Sequence, residues 1–265
     1  MSALIARGAS LAAALVALAT AALPLPAGAQ DADPTTRQWH NYLGGPGDER
    51  ITAMRETSNG YVVAVGITNS ADLTQDSTGG LRATQDAFVA IYEDDGSPYP
   101  TSPLSVIEGD GEDEPTAFAV TASGDVYIVG RTRSSSFANI DVVPGTSYQG
   151  GDDAFLAQVD RHGIPTWIMY LGGSGDDVAT GLVVLPGAAY ITGSTNSTTF
   201  LGATPDGMDG FVVKVDLLTN PPELASGQPT LISGSGSDEL FGSTVHQSKL
   251  LVVGRTTSSF TYGPP

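Results

Sequence analysis

A fourfold internal repeat constrains this chain more than any other feature of its sequence. A glycine recurs inside short apolar runs, with steps of 64, 63 and 61 residues between successive copies. An acidic, glycine-rich turn recurs in the same phase, with steps of 65, 63 and 62 residues between its acids. The glycines are Gly66, Gly130, Gly193 and Gly254, and the acids are Asp48, Asp113, Asp176 and Asp238. Because two independent motifs share one phase, we expect four equivalent structural units.

Each unit is predicted to contain four short antiparallel strands. The order is an inner strand such as residues 179–184, a second such as 190–192, a third of the Phe155 type and a fourth of the Trp167 type. Outside residues 1–29 no window has the apolar period of a sizeable helix. Four strands per repeat are typical of a propeller blade, so the predicted fold class is an all-β propeller of about four blades.

The sequence resembles a known repeat family in several motifs of its third repeat. These are Asp153–Asp160, Gly163, Trp167, Tyr170–Asp177, Ala179–Gly181 and Tyr190–Gly193. They resemble the SBBP repeat, the "seven-bladed beta-propeller repeat" family of exported bacterial proteins. The likeness extends over roughly the whole chain after residue 29 and implies a propeller fold, export and a non-catalytic role. The chain departs from the family in long insertions at 72–81 and 134–148 and in weak second and fourth Trp-type strands.

Residues 1–29 have the pattern of a secretory signal peptide. Arg7 precedes an apolar run from Leu11 to Leu23, and small residues end the segment at Ala29. A membrane anchor is the alternative, but this run is short against the roughly 20 residues that span a bilayer. We therefore expect cleavage after Ala29 and a secreted, periplasmic or cell-surface location. The predicted domains are a signal peptide at 1–29, a linker at 30–38 and a repeat domain at 39–265, with units near 39–103, 104–166, 167–229 and 230–265.

The charge balance and the absence of cysteine exclude several functions. The formal net charge is −18, and Lys214 and Lys249 are the two lysines. Nucleic acid is excluded as a partner, because phosphate binding requires many Lys and Arg side chains. The chain contains no cysteine, which excludes thiol catalysis and thiolate metal sites.

No arrangement of residues predicts catalysis. His40, His162 and His246 are far apart in sequence, and none has a second histidine at metal-site spacing or a nucleophile motif beside it. We therefore predict that the protein is not an enzyme and has no catalytic residues and no cofactor, calcium excepted.

Carboxylates are the only candidate functional groups that recur in every repeat. Oxygen-rich turns suit calcium, and the candidate ligands are Asp48, Asp113, Asp176, Asp177 and Asp238. The favoured interpretation is that these acids accept local backbone hydrogen bonds and hold their turns.

The leading functional hypothesis is a secreted or cell-surface scaffold that binds a protein or glycan of the cell envelope. A calcium-dependent surface adhesion module is the alternative, and a propeller-fold lyase or glycosidase is less favoured. Phe-type third strands begin at Asp86, Asp153 and Asp209, so the sequence shows three of them against four copies of the other strands. We therefore favour an incomplete ring with exposed sheet edges that promote association. The alternative is a self-contained four-bladed domain in which the insertions replace the missing strand.

Overall fold

The computed structural model describes residues 3–6, 40–70, 81–99 and 104–258, and within these ranges it contains strands and no helix. Sixteen strands form four sheets of mostly antiparallel strands, and two more, β1 and β2, make a separate parallel pair. The strands are β1 (Ala3–Ala6), β2 (His40–Leu43), β3 (Glu49–Glu56), β4 (Val62–Ser70), β5 (Leu81–Tyr92), β6 (Leu104–Ile107), β7 (Asp113–Val120), β8 (Val126–Thr132), β9 (Asp141–Val142), β10 (Asp153–Val159), β11 (Pro165–Leu171), β12 (Asp177–Leu185), β13 (Ala188–Thr195), β14 (Asp209–Asp216), β15 (Glu223–Leu224), β16 (Thr230–Ile232), β17 (Asp238–His246) and β18 (Lys249–Thr256). The prediction of an all-β chain is confirmed for the described residues.

The first three sheets share one strand order, which we number as units one to three. They are β3-β4-β5-β6, β7-β8-β10-β11 and β12-β13-β14-β16, each antiparallel throughout. The short strand β15 also pairs with β14. In the fourth unit the described residues form two strands, β17 and β18.

The units begin at the acidic turns. The Trp-type strand pairs with the third strand that precedes it in the chain, as β11 pairs with β10. The four sheets therefore span 49–107, 113–171, 177–232 and 238–256, about one strand later than the predicted unit boundaries. The predicted cleavage point after Ala29 and the linker at 30–38 lie outside the described residues, whereas β1 lies inside the predicted signal peptide.

One of the two insertions adds a strand that sequence reasoning did not predict. Within 134–148, β9 pairs in parallel with β11 and becomes the outermost strand of the second sheet. Phe137 forms an isolated bridge to Gly109, which fastens the start of this insertion to the acidic turn. The other insertion, at 72–81, lies almost entirely outside the described residues.

Every unit contains a β-bulge at the same place in its first strand. The pairing of first and second strands shifts between Ile51 and Ala53 in unit one, and equivalent shifts flank residues 116, 180 and 241. The repeated glycine of the second strand faces this bulge. A Cβ on Gly130 would overlap the carbonyl oxygen of Glu114, and the other three glycines have the same clash with their own units. The close backbone approach explains why glycine recurs there.

The hydrophobic cores lie between successive sheets. Alternate side chains of a strand point to opposite faces, so a middle sheet buries both. Val65 and Val89 of unit one pack with Ile128 and Phe155 of unit two in one cluster. A second cluster joins Val129 and Leu156 of unit two to Ile191 and Phe211 of unit three.

Side-chain hydrogen bonds also connect the first strands of neighbouring units. The hydroxyl of Thr116, in the bulge of β7, donates to the carbonyl oxygen of Ala179 in β12 at 2.6 Å. Thr180 makes the equivalent bond to Leu240 in β17, also at 2.6 Å. The first strand of one unit is thus bonded directly to the first strand of the next unit. Within the described residues they form neither a closed barrel nor a closed ring of sheets.

Candidate functional site

A serine closes the acidic turn of every unit, and it is buried in units one to three. In unit two the Ser134 hydroxyl accepts a hydrogen bond from the Gly111 backbone N–H at 2.9 Å and donates to the Asp113 carboxylate at 2.9 Å. Its own backbone N–H donates to the Thr132 hydroxyl at 2.9 Å. The same three bonds recur at Ser70, Ser197 and Ser258 with their own units' glycine, acid and threonine. This serine, threonine and carboxylate set is the acid-turn network.

In two units the network acid is not the acid that the internal repeat predicted to be equivalent. The residues that begin the first strands, and that pair with the network threonines, are Glu49, Asp113, Asp177 and Asp238. Asp113 and Asp238 were aligned correctly. Asp48 and Asp176 lie one position earlier, so the assumed equivalence of Asp48, Asp113, Asp176 and Asp238 is wrong. The cause is that two acids are adjacent in those turns, and strand alternation buries the second of them.

The predicted local backbone hydrogen bond is found at Asp177, whereas Asp113 and Asp238 accept from the network hydroxyls instead. Asp177 accepts from the Gly173 backbone N–H at 2.7 Å, which is a local turn bond. Asp176 instead accepts from the Asp152 backbone N–H of the preceding unit at 3.1 Å. Asp48 is exposed, and its backbone N–H donates to the Asn69 side chain at 2.7 Å. The network acids therefore hold the turns, while Asp176 links two units.

Sequence reasoning missed the network serines, although a signal for them was present. A threonine followed two residues later by a serine ends the second strand of every unit, at 68 and 70, 132 and 134, 195 and 197, and 256 and 258. Buried hydroxyls beside a buried acid need a partner, so the Thr-x-Ser spacing in phase with the acids identifies the network.

Each junction between units buries a pair of carboxylates. One acid lies in the third strand of a unit, two residues before its phenylalanine, and the other begins the first strand of the next: Asp86 with Asp113, Asp153 with Asp177, and Asp209 with Asp238. Each pair interacts electrostatically, and all six residues are buried.

Among the described residues, four of these carboxylates have a buried Oδ1 atom without a hydrogen-bond partner: Asp153, Asp177, Asp209 and Asp238. Burial raises the pKa of Asp113 and that of Asp153 to about 7, and it raises the pKa of Asp177 and Asp209 as well. The four acids with a raised pKa therefore keep a proton to a higher pH than an exposed aspartate does.

The structure does not bring the five candidate calcium ligands together. Asp48, Asp113, Asp176, Asp177 and Asp238 lie in four successive turns, with Asp176 and Asp177 adjacent in one of them. In the part of the chain that the structure describes, no group of three or more His, Asp or Glu side chains is arranged to hold a metal ion. His162 accepts a hydrogen bond from Arg161, and His246 is exposed at the end of β17.

A chain of ion pairs crosses the first junction. Arg50 of unit one contacts Glu114 of unit two at 2.6 Å, and Glu114 contacts Arg131 at the same distance. Arg131 and Arg133 both contact Asp152, at 2.8 and 2.5 Å. Hydrogen bonds from Arg131 lower the pKa of Glu114. Burial alone would raise the pKa of Asp152, but its bonds to Arg133 and Arg131 outweigh burial and lower it.

The fourth unit exposes apolar residues that the other units bury. Val253 is 64% exposed, whereas its equivalents Val65, Val129 and Thr192 are at most 1% exposed. Leu251, Val252 and Phe241 are also exposed large apolar residues. We call Phe241, Leu251 and Val253 the open face of unit four, since Val252 points to the opposite side of β18. In units one to three a third strand pairs with the second strand along this edge, whereas β18 pairs only with β17 among the described strands.

Comparison with known protein families and with curated proteins gives no match to this chain. The described residues include no helix of the length and apolar character needed to cross a membrane.

Proposed function

We propose that this chain is a secreted or cell-surface β-propeller scaffold of the SBBP repeat kind, and that it binds a protein through the open face of its fourth unit. The observation that carries the proposal is the 64% exposure of Val253 on this face, because its equivalents Val65, Val129 and Thr192 are buried. A cluster of exposed apolar side chains beside an unpaired strand edge favours association with another polypeptide. A strand added at such an edge gains backbone hydrogen bonds along its length.

The repeat supports a scaffold role over catalysis. The serine, threonine and carboxylate groups of the acid-turn network bond to one another and to turn backbone, so the most regular polar groups of the chain hold its fold. The strongly acidic composition favours repulsion from anionic membrane surfaces, which directs the proposal toward a protein partner of the cell envelope.

The test compares envelope proteins bound by three immobilised chains. Val253→Asp places a charge on the open face, and Leu218→Asp is the matched control because Leu218 is 84% exposed and lies outside this face. We expect a partner that binds the unsubstituted chain and the control equally and that Val253→Asp loses at least tenfold. If every bound protein binds all three chains equally, the proposal is wrong.

A further inference from the structure

The three third strands share a sequence pattern and one register. Each contains an aspartate followed by a small residue, a phenylalanine and an aliphatic residue, at 86–89, 153–156 and 209–212. The phenylalanine always lies opposite the repeated glycine of the second strand: Phe88 opposite Gly66, Phe155 opposite Gly130 and Phe211 opposite Gly193. A phenylalanine therefore lies opposite the repeated glycine in each of units one to three.

The glycine makes room for the aromatic ring. A Cβ placed on Gly66 would lie 2.7 Å from the ring of Phe88, and one on Gly193 would lie 2.6 Å from the ring of Phe211. Gly254 occupies the same position in unit four, but the atoms nearest to such a Cβ belong to Glu239 and Leu240. No described strand pairs with the second edge of β18, so no phenylalanine lies opposite Gly254 there, and unit four presents a position for one.

The charges beside this position match those of unit two. Arg131 contacts both Glu114 and Asp152, and Asp152 immediately precedes the third strand β10. Arg255 is the equivalent of Arg131 and contacts Glu239, the equivalent of Glu114, at 2.6 Å. A strand that carried an acid in the place of Asp152 would therefore meet a guanidinium group in unit four.

We propose that the open face binds an extended segment of a second protein with the order acid, acid, small residue, phenylalanine and aliphatic residue. This inference rests on the proposed protein-binding function and specifies its partner. The segment would pair antiparallel with β18, with its second acid opposite Thr256, its phenylalanine opposite Gly254 and its aliphatic residue opposite Val253. Burial of the phenylalanine and of Val253 drives this association, and the first acid contacts Arg255.

The test uses a fluorescent peptide of residues 149–160, which contains the third strand of unit two, and fluorescence anisotropy with the full chain. We expect saturable binding that weakens at least tenfold when the peptide carries Phe155→Ser. Val253→Asp in the protein weakens binding to a similar extent, whereas the exposed control Leu218→Asp leaves it unchanged. Circular dichroism establishes that both variants remain folded.

A charge exchange tests the register and provides a second variant. Arg255→Glu in the protein weakens binding of the original peptide, and a peptide carrying Asp152→Lys restores it. Arg255 is exposed, so the substitution does not disturb a core. Loss without restoration contradicts the proposed register.

Three results would overturn the inference. The peptide fails to saturate, or the Phe155→Ser peptide binds equally well, or light scattering detects a dimer of the chain that Val253→Asp dissociates and the peptide does not. The last result assigns the open face to a second copy of this chain. If an envelope protein depends on Val253 while the peptide does not bind, the strand assignment fails and the proposed function stands.

Discussion

A single serine hydroxyl bonds to two groups in each acidic turn, and it is buried in units one to three. Ser134 accepts from the Gly111 N–H and donates to Asp113, and both Ser134 and Asp113 are buried. A buried polar group that loses its partner costs more free energy than an exposed one, because water cannot replace the lost bond. The network is therefore a concentrated source of stability in each unit.

Replacement of this hydroxyl should destabilise the chain. We expect Ser134→Ala to lower the free energy of unfolding by about 1–3 kcal/mol, since it leaves a buried N–H and a buried carboxylate oxygen without a partner. Urea denaturation measures the change. Ser147→Ala is the control, because Ser147 is exposed, and equal stability of the two variants would contradict a structural role for the network.

The choice of buried acid shows how far sequence alone reaches at the residue scale. Asp176 and Asp177 have the same side chain, and composition cannot distinguish them. Their roles differ because successive strand residues face opposite sides, so a shift of one position exchanges the buried and the exposed acid. The position of Ser197, two residues after Thr195, marks Asp177 as the network acid, and this spacing was present in the sequence.

At the scale of the strand, the repeat made most of the architecture predictable. The glycines of the second strands and the order of strands in a unit follow from periodicity. The strand β9 does not follow from periodicity, because it is two residues long, lies in an insertion and forms only by pairing with β11. The open face also escapes a sequence-based prediction of core residues, because Val253 and Val129 occupy equivalent positions in the sequence and differ only in what covers them.

The bulge in the first strand requires a glycine opposite it in the second strand. Gly193→Ala places a Cβ against the carbonyl oxygen of Val178 and the ring of Phe211. We expect it to lower the free energy of unfolding by about 1–3 kcal/mol, the usual cost of overpacking. Gly207→Ala is the matched control, since the nearest atom to its Cβ is 4.0 Å away, and thermal denaturation compares the two. A harmless Gly193→Ala would refute the steric account of the bulge.

The junction acids make stability depend on pH. Burial raises the pKa of Asp113 and of Asp153 from 3.8 to about 7, and Asp153 is also repelled by Asp177 and Asp152. Between about pH 4 and 7 the folded chain retains protons that the unfolded chain releases. The free energy of unfolding therefore falls as the pH rises through this range and levels off above about 7. Glu114 and Asp152, whose pKa values are lowered, contribute stability that is lost only at lower pH.

Asp153→Asn tests this account, because an amide remains neutral at every pH in the range. We expect the variant to be more stable than the unsubstituted chain at pH 8 and to show a smaller loss of stability between pH 5 and 8. Urea denaturation at the two pH values gives both quantities. Asp48→Asn is the control, since Asp48 is exposed. An unchanged pH dependence in Asp153→Asn would exclude a buried proton at this junction.

At the scale of the whole molecule, the units form a series in which each described junction repeats the one before. A first strand packs against the preceding sheet, a carboxylate pair is buried at the junction, and a threonine in the bulge of each of the second and third units bonds to the next first strand. In the fourth unit, the last of the series, the second strand β18 is exposed. The central claim of this account is that the four units share one strand arrangement and that the fourth differs because, among the described residues, no third strand or further sheet covers its open face.

Hydrogen exchange followed by mass spectrometry tests that claim most directly. Backbone amides in β4, β8 and β13 pair on both sides and lie in buried sheets, so we expect slow exchange there. Amides of β18 should exchange much faster, and addition of the peptide of residues 149–160 should slow them without affecting the other three strands. Equal protection of all four second strands in the isolated chain would contradict the account.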